Sequence, residues 1–264
     1  MSGRESRSGR PRICGVVPAA GLGTRLGSGT PKVFVPILPG LTIWQAVQRT
    51  LALVTDHIVL VLSPDGLAHA RAHPELLPKE TARDVSLGTQ TRPLGMGDAV
   101  FCCSELWVEY DSIFVVWGDQ FNLSRQTLEA CVDIQGRLPP PSFVLPLVRM
   151  AKPYVEYLFD GAGRLATVRQ SREGDTCADG GLADVGAFLL SGGPALLAEW
   201  NRYRAHGGLS AQTREVNFLP FLVHLSTSAG WAVGTYETRN TAEAVGINTP
   251  EDLEFARQSL AKPT

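Results

Sequence analysis

Val16-Val17-Pro18-Ala19-Ala20-Gly21-Leu22-Gly23-Thr24-Arg25 leaves an apolar run and enters a loop that also holds Gly27 and Gly29 and ends in Pro31-Lys32. These residue types can hold an anion. Glycines lack the Cβ that would keep backbone N–H groups away from it. Arg25 offers a planar fork matched to phosphate oxygens, and Lys32 a compact point charge presented behind a stiff proline. Two familiar phosphate loops do not fit. A P-loop sets its Lys directly after the last glycine, whereas Lys32 follows Gly29 by three positions and lies behind Pro31. A dinucleotide-binding turn has the spacing G-x-G-x-x-G, and here Gly27 comes one place late. On the residues alone, a phosphate site and a mobile glycine loop both remain open.

Other reactive residues give weaker signals. His69 and His73 are four apart, as zinc ligands on a helix can be, but Pro74 follows directly and no third ligand is near, so no metal is expected there. The five cysteines, Cys14, Cys102, Cys103, Cys131 and Cys177, are odd in number and irregularly spaced, with no C-x-x-C. That pattern fits reduced thiols in a cytoplasmic protein. Cys102-Cys103, inside an apolar stretch, is expected in the core.

The loop must be positioned by the elements around it. Hydrophobic residues are 44% and charged residues 19% of 264, enough for a packed core. The 24 basic and 26 acidic residues leave a net charge of −2, which gives no electrostatic ground for nucleic acid as a partner. No apolar run is long enough to span a bilayer, so no membrane association is expected. The first twelve residues, MSGRESRSGRPR, lack the apolar segment of a secretory signal and read as a disordered tail.

From Ile13 onward strand-length apolar runs alternate with helical patterns. ICGVVPA, HIVLVLS and SIFVVWGD read as buried strands. TIWQAVQRTLALV reads as a helix capped by Thr42, SRQTLEACVDI as one opened by Ser124, and DAVFCCSELW as a third. That rhythm implies a largely parallel sheet with helices on both faces. The later half adds a hairpin around Asp160-Gly161, a strand ADVGAFLLS and a helix near 195–206. It continues with a helix over EVNFLPFLVHLS kinked or cut by Pro220, a strand WAVGTY, and a closing helix with Thr249 as N-cap and Pro250 at its first position. No linker or repeat divides the chain. One domain over 13–264 is expected, with lobes of about 13–140 and 141–264 and no hexapeptide-repeat acyltransferase extension.

The segment A-A-G-x-G-T-R followed by P-K (Ala19 to Arg25, then Pro31-Lys32) resembles the signature of the sugar-1-phosphate nucleotidyltransferases, such as N-acetylglucosamine-1-phosphate uridylyltransferases. Further segments match in the family's order: QTRPLGMGDAV, VVWGDQ, and AVGINTPEDL. The likeness runs from about Val16 to Leu253. It implies a three-layer α/β, Rossmann-like (GT-A-like) fold on a mostly parallel mixed sheet. It also implies a magnesium-dependent reaction in which the phosphate oxygen of a sugar or sugar-like 1-phosphate attacks the α-phosphorus of an NTP and expels pyrophosphate. A cytidylyl- or guanylyltransferase for a cyclitol phosphate, polyol phosphate or phosphonate is the alternative. A catalytically inactive sugar-nucleotide-binding regulator is the reading from another class.

The resemblance also implies roles. Arg25 would neutralise the departing pyrophosphate and Lys32 the α-phosphate or attacking phosphate. Ala19, Ala20 and Gly21 would line the base pocket, Gly23 would also bind the nucleotide, Gln90 would hydrogen-bond the base edge, and Gly95 would pass close to the ribose. Asp119 and Asn248 would hold Mg2+. Gln170, Arg172, Asp184 and Glu215 would face the acceptor. Gln170 stands where the family usually has an acidic residue, and Asp184 where the uridylyltransferases have Asn. Gln can donate as well as accept, whereas an ionised Asp only accepts. These departures argue against a standard N-acetylhexosamine acceptor.

Overall fold

The computed structural model describes residues 10–21, 26, 27, 29–77, 84–207, 209, 210 and 212–261. The first part of the chain contributes β1 (Ile13–Ala19), β2 (Pro36–Leu38), β3 (Leu41–Thr42), α1 (Ile43–Leu51), β4 (His57–Leu62), α2 (Pro64–Ala72), β5 (Asp84–Thr89), α3 (Met96–Phe101), β6 (Ser112–Val116) and α4 (Arg125–Gln135). The second contributes β7 (Ser142–Arg149), β8 (Val155–Phe159), β9 (Leu165–Gln170), β10 (Leu182–Asp184), β11 (Ala187–Ser191), α5 (Gly193–Ala205), α6 (Leu219–Thr227), β12 (Ala232–Thr238) and α7 (Pro250–Ala261).

The sheet runs β10-β7-β11-β6-β1-β4-β5, with β12 alongside β7. Pairings β1–β4, β1–β6, β4–β5 and β12–β7 are parallel, and those of β11 with β6 and β7 and of β10 with β7 are antiparallel. Strands β1, β4 and β6 are apolar almost throughout because both faces are covered. Alternation along β4 sends Val59 and Val61 to one core and Ile58, Leu60 and Leu62 to the other. The first core is closed by α5 and α6 through Leu196, Trp200, Phe221 and Leu225, the second by α1 and α4 through Trp44, Val47, Leu51 and Leu128. The result is a three-layer α/β fold, as the alternation of elements implies. A third, smaller cluster joins Ile37 and Ile43 to Phe121, Ile247 and Ala256, and so fastens α7 to the β2–β3 corner.

Local chemistry sets the helix ends. Thr42 Oγ1 accepts from Gln45 N at 3.2 Å while Gln45 Oε1 accepts from Thr42 N at 2.8 Å, a reciprocal box at the start of α1. Ser124 Oγ accepts from Thr127 N at 3.1 Å at the start of α4. Thr249 Oγ1 and Asp252 Oδ2 form a similar reciprocal pair before α7.

Five expectations need correction. The stretch 183–191 is not one strand. Asp184 pairs with Leu147 and Leu189 with Val144, so two residues, Val185 and Gly186, are taken up between β10 and β11. Gly186 has φ +72°, the left-handed region that a β-branched or bulky side chain avoids. Pro220 neither kinks nor ends its helix but lies in the first turn of α6, where its missing N–H costs nothing. The helix over 98–107 stops at Phe101 and gives way to a 3-10 turn at Ser104–Leu106. Of the cysteine pair, Cys103 is buried but Cys102 is exposed. Within the expected tail, Arg10 Nη2 donates to Val54 O at 2.9 Å and the Arg12 guanidinium lies 4.5 Å from the Tyr110 ring centroid, so contacts with the domain begin ahead of Ile13. His69 stacks on Phe34 and His73 bonds Glu75.

Removing the α1 cap tests this account of its start. Thr42→Ala is expected to lower unfolding free energy by about 1 kcal/mol, seen as a lower urea midpoint with an unchanged slope.

Candidate functional site

Strands β1 and β6 end side by side at the same edge of the sheet. Gly118 N donates to Pro18 O at 3.3 Å, and a Cβ on Gly118 would lie 2.9 Å from the Ala19 Cβ. Glycine at 118 is thus what lets the chain after β6 lie against the end of β1. The next residue, Asp119, is delivered to the mouth of the sheet beside the loop that follows Ala20.

Lys32 reaches the same point from the far side of that loop. It opens a 3-10 turn, Lys32–Phe34, whose Val33 and Phe34 are buried, so the lysine backbone is anchored while its side chain stays free to turn toward the sheet. Its Nζ lies 2.7 Å from Asp119 Oδ2 and 2.8 Å from Asn248 Oδ1. Asn248 is brought from the other lobe. Ile247 N donates to Asp119 O at 3.1 Å, and a Cβ on Gly246 would lie 3.0 Å from Asp119 Cγ. Asn248 N and Thr249 N both donate to Asp252 Oδ2 at 2.8 Å, which fixes the segment to the start of α7. Three residues separated by up to 216 positions thus converge on one centre of positive charge.

A carboxylate and an amide carbonyl aimed at one point are also a hard-oxygen donor pair. Mg2+ is commonly held by one or two carboxylates with waters and substrate phosphates completing the shell. Asp119 and Asn248 fit that pattern. The Lys32 ammonium now fills it, so cation and lysine compete for the same oxygens unless Lys32 turns to an anion.

A cavity of about 660 Å³ opens beside this cluster. Asp119, Asn248, Gln170, Arg172 and Asp184 all line it, so these sequence-predicted residues are brought together. Arg172 Nη2 bonds Glu215 Oε2 at 2.7 Å, with both side chains more than a third exposed. A pair this exposed is worth at most about 1 kcal/mol, and Arg172 Nε also lies 3.6 Å from Glu173 Oε1. Asp184 Oδ1 accepts from Gly186 N at 2.7 Å and Oδ2 from Tyr157 Oη at 3.0 Å. Burial pushes the Asp184 carboxyl above its usual range and the charge of Asp119 adds to this, against the Gly186 N–H and the Tyr157 hydroxyl. Burial likewise raises the Tyr157 hydroxyl well above its ordinary value.

Gln90 and Gly95 lie apart from this cavity. Gln90 Nε2 donates to Gly95 O at 3.0 Å and Asp98 Oδ2 at 2.9 Å, so its donors order the turn into α3. Gly95 has φ +104°, and a Cβ there would lie 2.7 Å from Glu215 Cβ. The glycine therefore meets a constraint within the protein itself. At Gly21 a Cβ would meet nothing within 4 Å among the described residues. Ala20 is buried and Ala19 half-buried at the end of β1. Gly23 and Arg25 lie outside the described residues.

Sequence reasoning missed Gln120, Lys152, Tyr154, Tyr157 and Asn217. Four of them line the cavity and Tyr157 bonds Asp184 behind it. Gln120 follows the Gly118-Asp119 signal directly and could have been flagged by it. Asn217 stands two residues after Glu215, within a stretch that read only as helix. Lys152, Tyr154 and Tyr157 carry no local signal.

Comparison with known proteins follows this geometry. The family model of the MobA-like NTP transferase domain matches residues 15–146. The bifunctional protein GlmU of Mycobacterium ulcerans is 36% identical over 122 residues, 45% of this chain and 24% of that protein. GlmU of Acidithiobacillus ferrooxidans is 27% identical over 255 residues, 93% of this chain and 52% of that protein. The chain thus spans about half or less of the length of these curated relatives. Among solved structures, the inositol-1-phosphate CTP transferase of T. maritima superimposes with a TM-score of 0.68 at 18% identity, over 97% of this chain and 99% of that one. A putative glucose-1-phosphate thymidylyltransferase from Bacillus anthracis gives 0.70 at 16% identity, over 96% of each chain. Both likenesses support the three-layer fold. A family model that spans the glycine loop, the end of β6 and half of the 264 residues settles membership: the chain belongs to the family of MobA-like NTP transferase domains.

Proposed function

We propose that the protein is a nucleotidyltransferase that joins an NTP to a sugar or sugar-like 1-phosphate, giving a nucleotide-diphosphate sugar and pyrophosphate. The observation that carries this is the convergence of Lys32, Asp119 and Asn248 at the end of β1 and β6, beside a cavity lined by Gln170, Arg172 and Asp184. A triphosphate laid on the glycine loop would bring its α-phosphate to that point, and an acceptor in the cavity would bring its phosphate oxygen to the opposite side.

The reaction makes one P–O bond and breaks another, so catalysis is chiefly positioning and charge stabilisation. Lys32 would leave Asp119 and Asn248 and neutralise charge growing on the α-phosphate oxygens. Arg25 would act on the departing pyrophosphate. Asp119 and Asn248 would hold Mg2+, which would supply positive charge against that developing on the phosphates. Gln90 would act on the base side through its carbonyl oxygen and through the turn it orders. Arg172, freed from Glu215, would meet the acceptor's phosphate. A cyclitol or polyol phosphate is a second acceptor reading, favoured by Gln170 and Asp184 in place of the residues expected for an acetamido sugar. The free cysteines support a reducing, cytoplasmic setting, and no helix among the described residues is long and apolar enough to cross a membrane.

Two measurements test this. Pyrophosphate release should be seen when the four common NTPs and dTTP are screened against sugar and cyclitol 1-phosphates with Mg2+, and should stop on chelation. Silence with every pair, despite nucleotide binding, would favour a binding protein instead. In the active pair, Lys32→Ala and Asp119→Asn should each lower kcat by on the order of a hundredfold or more while the urea midpoint stays near that of the parent. Near-normal turnover in either variant would remove that residue from the site.

A further inference from the structure

Gln170 is 5% exposed on the cavity wall, at the end of β9, where its own N–H donates to Asp175 Oδ2 at 2.8 Å. Its side chain is held by Asn217, from the segment that leads into α6. An amide can point either way round, and the two orientations offer opposite chemistry to a ligand. Here the orientation is decided by a group that cannot reverse. Leu219 N is a backbone donor, and it donates to Asn217 Oδ1 at 3.3 Å. Asn217 must therefore present Nδ2 at its other end, and Nδ2 donates to Gln170 Oε1 at 3.1 Å. Gln170 is left with Nε2, a donor with no lone pair, as the polar atom for the cavity. The relay runs in one direction from the α6 backbone to the ligand.

We propose that Asn217 is a positioning residue that fixes Gln170 as a hydrogen-bond donor toward the acceptor, so that the site takes a phosphorylated ligand presenting an oxygen lone pair at that point. This rests on the cavity being the acceptor site of the proposed reaction. A glutamate at 170 would accept from Asn217 with one oxygen and show a second acceptor to the cavity. It would demand a hydroxyl or ammonium hydrogen from the ligand. Gln170 demands the reverse: the oxygen of a hydroxyl, carbonyl, carboxylate or phosphate. Arg172, two residues on and also lining the cavity, adds donors of the same sense. This wall therefore suits an oxygen-rich or anionic edge of the acceptor and rejects a cationic amine there.

Asn217→Asp keeps the shape and keeps an acceptor for Leu219 N. It puts a second acceptor against Gln170, which must turn and show Oε1 to the cavity. Binding of glucose 1-phosphate and of inositol 1-phosphate is measured by calorimetry, with and without a saturating non-hydrolysable NTP analogue, for the parent, Asn217→Asp, Gln170→Met, the double variant and Gln170→Glu. For whichever probe the parent binds, Asn217→Asp and Gln170→Glu should each raise Kd about tenfold or more, the size expected when a buried polar contact is mismatched. In the Gln170→Met background, Asn217→Asp should change Kd by less than about twofold, because no amide is left to turn. Equal loss in both backgrounds would make Asn217 a purely structural residue and overturn the proposal. So would unchanged binding in Asn217→Asp, or a parent that binds neither probe under either condition. If Asn217→Asp does not fold, Gln170→Glu carries the test, and unchanged binding in it overturns the proposal. Tight binding with no pyrophosphate from any NTP would defeat nucleotidyl transfer while leaving this assignment standing.

Discussion

The contact on which the site depends is the one Lys32 makes with Asp119 and Asn248. Each partner arrives by a different structural device. Gly118 lets the end of β6 lie against β1, the buried Val33 and Phe34 anchor the backbone of Lys32, and Gly246 lets the Asn248 segment lie against Asp119. An ammonium between a carboxylate and an amide carbonyl ties the end of β6 to the segment before α7, with the Lys32 and Asp119 side chains each about one-fifth exposed. A lysine bonded only to solvent would have to be ordered when an anion arrives, whereas the Lys32 side chain is already held in one place by these two oxygens.

The same economy shapes the cavity beside this contact. The break between β10 and β11 sets where Asp184 points. Continuous pairing with β7 would fix Asp184 and Ala187 on one regular strand. Taking up Val185 and Gly186 instead turns the chain so that Gly186 N caps the Asp184 carboxylate and Tyr157 reaches it from the hairpin. Burial of that carboxylate is tolerated because two donors meet it. Gln170 and Arg172 line the same cavity as Asp119 and Asp184, so donors and carboxylates share its wall.

Much of the first lobe was legible in the sequence because its information is local. Strand runs such as HIVLVL carry their own burial, Thr42 and Ser124 cap their helices within three residues, and the glycine loop with Pro31-Lys32 is one short stretch. Gly118-Asp119 was legible for the same reason. What escaped was set by contacts between distant elements. Nothing in ADVGAFLLS marks the two-residue break, which exists because β6 and β7 both claim that strand. Asn217 carries no local pattern, and its role appears only when α6 docks beside β9. Cys102 and Cys103 are neighbours in an apolar run, yet a short helix that ends at Phe101 turns one in and one out.

Gln90 shows how a matched motif and a physical role can differ in kind. Its place in the sequence resembles a base-reading position, yet both its donors go to Gly95 and Asp98. The same turn is pinned from the other lobe, where Val216 N donates to Leu94 O at 2.7 Å and Gly97 N to Val216 O at 2.9 Å. Residues 215–217 thus touch both sides of the site: Val216 holds the turn that Gln90 orders, Glu215 holds Arg172, and Asn217 orients Gln170. A shift of this one segment would move the turn into α3 and the cavity wall at Gln170 and Arg172 together.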